Sequence, residues 1–242
     1  MKKLFLILLG ILGYHSVQGQ NVQHDSTAIL ILDKVGEYFG EINSLKFTTR
    51  TAEDVAFATD FFIKEFKTSE FILQGAGQLA GKVHRQGSDH FYYYNGQQLV
   101  YYSLEGNFYT AADAPGTTLE MLDWLYDEFG IELVLADFLY PDFSQNLVDS
   151  MDYLQFLGKA TVDGKPSFHI GGANADMTFQ LWVSQDLEMT PIKVVLTYLG
   201  EPYARQLEVT FDSWEVNASY PNSIFEFLPP PSSKQILWTK KD

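Results

Sequence analysis

Strand-length runs joined by short turns, broken once by helical segments, govern what this chain can fold into. The sharpest instance is Tyr92-Tyr93-Tyr94, then Asn95-Gly96, then Gln97 through Tyr102. Asn-Gly supplies the two positive φ angles of a type I′ turn, so this spacing predicts an antiparallel hairpin. Phe, Tyr, Val and Thr dominate from Leu45 to about Thr110. Strand patterns return at Tyr153–Thr161, Ser167–Gly171, Thr178–Ser184, Ile192–Leu199 and Gln206–Val216, with Asp163-Gly164 as a turn signal in their first connection. Links this short favour antiparallel pairing over crossover units, which need a dozen residues or more. The pattern predicts an α+β fold: a large curved antiparallel sheet with helices against one face, as a single domain over residues 20–242.

Four helical segments are expected. Asp25 or Ser26 can cap a helix with the apolar stripe Ala28, Ile29, Leu32, Val35, Gly36 and Phe39. After Pro115-Gly116, Thr117 or Thr118 can cap a helix that runs to Phe129 and stops at Gly130. A short helix is expected over Leu133–Leu139, and another from Ser144. On a wheel of the second helix, Leu119, Leu122, Leu125, Tyr126 and Phe129 share one face, with Met121 at its border. Trp124 falls opposite, among Glu120, Asp123, Asp127 and Glu128. Packing beneath a loop is the favoured reading of that tryptophan over display to a partner.

The N-terminus bounds the compartment. Lys2 and Lys3 precede the apolar run Leu4–Gly13, and Val17 and Gly19 occupy the −3 and −1 positions before Gln20. This is the pattern of a cleaved secretory leader, and the run is shorter than the roughly 20 residues of a spanning helix. Export to a bacterial periplasm is expected, with no transmembrane span after cleavage. Cleavage after Gly19 would leave 14 basic and 31 acidic residues, a net charge of −17. With no cysteine anywhere, thiol catalysis, disulfides and Cys-ligated zinc are excluded, and so is lipoprotein acylation. Such an acidic surface also argues against nucleic acid as a partner, because phosphate binding rests on Lys and Arg.

A search for catalytic patterns returns structural explanations. Gly75-Ala76-Gly77-Gln78-Leu79-Ala80 matches a dinucleotide fingerprint, but a strand-like Lys82–Arg85 follows where a helix is required. A glycine-rich strand or bulge is the preferred reading. His24, His84, His90 and His169 form no zinc motif, although His84 and His90 could face each other across a turn. No nucleophile elbow and no calcium loop is present. Gln86–Gly158 holds 12 acids and no Lys or Arg. Same-helix acids such as Asp123 and Asp127 are generally a solvated face, and this one would suit a basic envelope protein. No cofactor and no metal is expected, and no catalytic residue is assigned.

Several stretches resemble a family of predicted periplasmic bacterial proteins with the lipoprotein-carrier (LolA-like) fold. The resemblance is carried by Phe91–Leu99, Asn107–Tyr109, Gly116–Asp123 and Phe129–Pro141, with weaker matches at Val162–Gly164, Leu181–Val183, Pro191–Lys193 and Phe225–Pro230. It implies a half-barrel whose helices close the concave side over an apolar cavity, and a non-enzymatic, monomeric carrier of lipid or another apolar molecule. One departure lies at Gln74–Leu79, where relatives tend to carry an Arg-Pro-Asp-like segment. Candidate cavity residues are Phe91, Tyr93, Leu99, Tyr101, Leu122, Leu125, Phe129, Leu133 and Leu135. The alternative is a glycan- or envelope-protein-binding module, with Trp124, Glu120, Asp127 and Glu128 as its candidate surface. Mass spectrometry of the protein purified from periplasm should find Gln20 as its first residue; retention of Met1 would overturn the leader assignment.

Overall fold

A computed structural model describes residues 23–58, 61–131 and 136–239. It contains thirteen strands in one sheet of order β1-β8-β9-β10-β11-β12-β2-β3-β4-β5-β6-β7-β13. In chain order these are β1 (Gln23–His24), β2 (Ser44–Ala58), β3 (Phe61–Gln74), β4 (Gln78–Arg85), β5 (Ser88–Tyr94), β6 (Gln98–Ser103), β7 (Phe108–Asp113), β8 (Tyr153–Val162), β9 (Lys165–Ala173), β10 (Met177–Ser184), β11 (Pro191–Tyr198), β12 (Gln206–Val216) and β13 (Lys234–Gln235). The helices are α1 (Ser26–Gly40), α2 (Thr118–Phe129) and α3 (Phe143–Ser150). Helix, strands, helical insert and strands therefore follow one another as the residue pattern predicts. Both sheet ends carry two-residue terminal strands in parallel register, β1 on β8 and β13 on β7. Each occupies backbone groups that an open edge would leave free for another chain.

The chain divides into two compact units. The first holds the chain through Gly40, Glu53–Lys64 and Asp137–Thr210; the second holds Glu41–Ala52, Glu65–Ala136 and the chain from Phe211. In the first unit, register and period-two alternation put Leu154, Phe156, Ile170, Phe179, Leu181, Val194, Leu196, Leu207 and Val209 on one sheet face. Helix α1 buries Ala28, Ile31, Leu32, Val35 and Phe39. Ile31 replaces the expected Ile29, because the stripe is centred on Leu32 and Val35. Asp25 caps this helix, its Oδ1 accepting from Thr27 N at 2.7 Å. Ser144 Oγ of α3 donates to Asp33 Oδ1 of α1 at 2.6 Å, and Phe138 stacks between Phe39 and Phe143. Ala136–Leu139 forms a single 3-10 turn, and the rest of the expected Leu133–Leu139 helix lies outside the described residues.

In the second unit β3–β7 form a meander with unbroken antiparallel register. The Asn95-Gly96 hairpin is present, but its turn is not type I′. Tyr94 pairs with Leu99, and only Gly96 has positive φ. Asn95 Oδ1 instead accepts from Gln97 N at 3.1 Å and Gln98 N at 3.0 Å, which closes a longer loop. Two other turns do have the I′ pattern of paired positive φ, Gln86-Gly87 (51°, 76°) and Asp163-Gly164 (49°, 76°).

The dinucleotide-like run is the β3–β4 turn. A Cβ on Gly77 would lie 2.5 Å from the Gly116 carbonyl oxygen, and Gly96 Cα is 3.5 Å from the same position. Three loops therefore meet backbone to backbone. Thr118 N donates to Ala76 O at 2.7 Å, which fixes the start of α2. Thr117 and Glu120 form a reciprocal capping box, and Gly130 ends the helix in the left-handed conformation. Glu120 is thus occupied in the cap, its Oε2 accepting from Thr117 N and Oγ1. Gly77→Ala should cost about 1–3 kcal/mol by overpacking. Gly75→Ala meets no atom within 4 Å but sits at φ +58°, so its cost is confined to backbone strain. Denaturant melts of the two variants, with Gly77→Ala the less stable, check this.

Candidate functional site: an aromatic floor

The register of the second unit sorts its aromatics onto two faces. Tyr92 pairs with Tyr101 and Tyr94 with Leu99, while Phe91 pairs with Tyr102 and Tyr93 with Val100. Leu99 and Tyr101 therefore share a face with Tyr92 and Tyr94, and Phe91 and Tyr93 point the other way. The nine candidate residues do not converge on one surface. Leu133 and Leu135 lie outside the described residues.

The Phe91/Tyr93 face is covered and partly charged. Phe227, from the C-terminal segment, packs its ring 5.5 Å from Tyr93, 5.6 Å from Tyr102 and 5.0 Å from Tyr109. Lys82 Nζ lies 5.6 Å over the Phe91 ring and 2.9 Å from Asp89 Oδ2. His84 Nδ1 meets Asp89 Oδ1 at 2.7 Å, and these two partners hold the Asp89 carboxyl below its ordinary range. His84 does not face His90, because Val83 is the cross-strand partner of His90. Polar pins hold the covering segment. Gln74 Nε2 donates to Tyr220 O at 3.1 Å and its Oε1 accepts from Tyr220 N at 2.8 Å; Gln78 Nε2 reaches Asn222 Oδ1 at 3.3 Å. The glutamines at the departure from the family pattern thus tie down the C-terminal segment.

The opposite face carries a continuous chain of rings. Trp214 stacks on Phe211 at 4.6 Å and lies 5.4 Å from Phe47. Phe47 is 5.6 Å from Phe71, Phe71 6.4 Å from Tyr92, Tyr92 5.4 Å from Tyr101, and Tyr101 6.2 Å from Phe108. The path crosses β4 because that strand presents Gly81 there. The Phe71 ring occupies the space a side chain would need, at 2.4 Å from an ideal Cβ. Phe71 and Phe211 are buried, whereas Phe47, Tyr92, Tyr101, Phe108 and Trp214 remain half-buried.

Polar groups on this floor face include the Arg85–Glu65 ion pair at 3.0 Å, the Thr49–Ser69 hydroxyl pair at 2.5 Å and a group around Tyr101. The Tyr101 hydroxyl and His90 Nδ1 are 2.7 Å apart. Burial pushes the Tyr92 phenol up to about 12. Thr110, directly across from Tyr101, is buried with its hydroxyl unpartnered. The buried Tyr94 hydroxyl donates to the Pro115 and Thr117 carbonyls, so α2 begins on the floor side. Leu122 and Leu125 are buried within α2. Phe129 joins Trp124 and Trp238, at 5.1 Å and 4.8 Å. Trp124 is therefore packed against Phe129 and the C-terminal segment, in line with packing beneath a loop. Asp127 is exposed and Glu128 half-buried. Among the described residues, no group of three or more His, Asp or Glu is placed to hold a metal ion.

Comparison with known proteins bears on what this architecture is. A family model described as predicted periplasmic protein (DUF2092) matches residues 28–238. The chain belongs to this family. Its location is accordingly periplasmic, and no helix among the described residues is long and apolar enough to cross a membrane. No curated protein matches the chain. Among solved structures it is similar to LprF from Mycobacterium bovis, at 12% identity and a TM-score of 0.49, over 82% of this chain and 98% of that one. It is similar to the lipoprotein LppX from Mycobacterium tuberculosis at 13% and 0.47, over 78% and 96%. A LolA superfamily protein from Nitrosomonas europaea matches at 14% and 0.36, over 83% and 97%.

Floor residues missed in the sequence are Phe47, Phe71, Tyr92, Phe108, Phe211 and Trp214. Alternation marks the first five, each two positions from an inward residue (Leu45, Leu73, Tyr94, Thr110 or Val209); Trp214, three positions after Phe211, joins them out of phase, and only the folded strand shows it. The raised Tyr92 phenol means that the folded state holds its proton more tightly than the unfolded state. Stability tied to this group is complete below pH 10 and is lost as pH rises towards 12. Denaturant melts across that window should show a shallower alkaline loss for Tyr92→Phe than for the parent; equal slopes would contradict the burial.

Proposed function

We propose that this protein is a non-enzymatic periplasmic binder or carrier of a lipid or another long apolar molecule, held on the aromatic floor of the second unit. The observation that supports it is the unbroken ring path from Trp214 to Phe108, with five of its seven rings half-buried. A structural core buries its rings, whereas five of these seven stay half-buried, with the Arg85–Glu65 pair at 3.0 Å and Lys67 sharing the face. An acyl chain laid along it would gain about 0.8 kcal/mol per methylene removed from water. The Tyr101–His90 pair offers hydrogen bonds for one polar end of such a molecule, the small polar complement that apolar sites use for orientation.

The reading needs no catalytic group, and the polar clusters have structural partners. Asp89 is held by Lys82 and His84, Glu120 caps α2, and Glu105 Oε2 accepts from Ser88 Oγ and Asp89 N at 2.7 and 2.8 Å. A module that binds glycans or envelope proteins through Trp124 is disfavoured, because that indole already packs on Phe129 and Trp238.

Mass spectrometry of an organic extract from protein purified without detergent should find near-stoichiometric lipid or a comparable apolar compound. Phe47→Ser/Tyr101→Ser should retain at most about one-tenth of it, given the apolar area removed, with an unchanged circular dichroism spectrum. Equal retention by a folded double variant would sink the floor as the site. Tryptophan quenching by soluble oligosaccharides, with none by lipid, would favour the glycan module instead.

A further inference from the structure

The aromatic floor differs at its two ends. From Glu65 onward, pairing parity along β3–β7 places Lys67, Arg85 and His90 on the floor face against one acid, Glu65. These four sit towards the β4–β5 turn, whereas Leu73, Leu79 and Leu99 hold the other end of the same strands. Tyr92 and Tyr101 lie between. In a chain of net charge −15, a face whose cations outnumber its acids runs against the composition.

Arg85 is the best placed of these groups. Its Nε lies 3.0 Å from Glu65 Oε1; the Glu65 side chain is 6% exposed and that of Arg85 51%. A buried carboxylate thus fixes the near edge of the guanidinium and leaves the far edge open to solvent. Among the described residues, neither Nη group of Arg85 has a hydrogen-bond partner, and neither has the Tyr92 hydroxyl. Lys67 is the direct cross-strand neighbour of Arg85. Burial pushes the Tyr92 and Tyr101 phenols up, and the charge of Arg85 draws both back, so the guanidinium lies close to the rings. Glu105, the acid at the nearby β6–β7 turn, already accepts from Ser88 Oγ and Asp89 N.

We propose that the ligand of the floor is an amphiphile with an anionic head group, a carboxylate or a phosphate, received by Arg85 and Lys67 while its tail lies on the rings. The inference rests on the carrier reading and narrows its ligand class. Two parallel N–H groups at the outer edge of a guanidinium match two oxygens of one anion, a fit that a hydroxyl or an ester lacks. Anchoring by Glu65 lowers the side-chain entropy lost when the head group arrives. A cationic head would meet two like charges at this end. Beside half-buried rings the attraction is also less screened than it would be in open water.

Competitive loading tests it. Protein purified from periplasm and stripped of lipid is incubated with equal amounts of myristic acid, tetradecyl phosphate and methyl myristate, at a pH where both acids are ionised. It is then repurified by gel filtration, and its organic extract is read by mass spectrometry. At least one anion should be retained about tenfold or more over the ester, as a charge-assisted contact requires, and the acid-to-phosphate ratio identifies the head group. Arg85→Gln should lower the anion-to-ester ratio about tenfold, and Lys67→Gln should lower it less. Because Arg85→Gln leaves Glu65 buried without its cation, Glu65→Gln/Arg85→Gln is loaded alongside. This pair leaves net charge unchanged and should show the same fall. Equal retention of ester and anions, or a folded double variant that keeps the parent ratio, overturns the inference and leaves the carrier reading standing. Retention of none of the three compounds overturns both.

Discussion

The backbone junction at Gly77, Gly96 and Gly116 is the contact on which the second unit depends. Its three loops approach so closely that one added methyl group would collide with a carbonyl oxygen. Because Thr118 N donates to Ala76 O in the same place, the junction decides where α2 starts. Tyr94 then decides on which side, by donating to the carbonyls of Pro115 and Thr117 from the floor face. A short polar loop thereby governs which sheet face receives a helix and which receives the C-terminal segment.

Covering the two faces differently bears on the proposed binding role. Phe227 packs on the Phe91/Tyr93 face from within the chain, held by Gln74 and Gln78 upstream, and leaves Phe91, Tyr93 and Tyr109 half-buried. On the floor, rings make contact from strand to strand while five of the seven stay only half-buried. That combination costs stability relative to a sealed core, since the area left in water contributes nothing to folding. Proteins retain such a surface where something else is to cover it. Gly81 is part of this design: a side chain there would displace Phe71 and break the ring path between β3 and β5.

Much of the architecture was legible because it is local. Capping at Asp25 and Thr117, the stop at Gly130 and the strand runs after Tyr153 all depend on neighbours a few residues apart. The candidate site was legible only by half. Leu99 and Tyr101 lie on the floor face and Phe91 and Tyr93 behind it. Pairing parity forces that separation whether the Asn95 turn has two residues or four, because both lengths oppose odd-numbered positions of β5 to even-numbered ones of β6. The choice of aromatic type carried no information about face, since rings favour strands on either side.

By itself the sequence determined the element order, the antiparallel pairing of the long strands and the absence of thiol chemistry. Each follows from periodicity, turn chemistry or composition, which act over short spans. Tertiary structure decided that seven rings from six strands join into one path, that Trp124 is covered by Trp238, and that Tyr203 meets Phe62. The Phe47–Trp214, Trp124–Trp238 and Phe62–Tyr203 contacts bring together residues more than 100 positions apart, and no local preference specifies them. Register, twist and the seating of a ring on a glycine do so jointly, and they exist only once the sheet has formed.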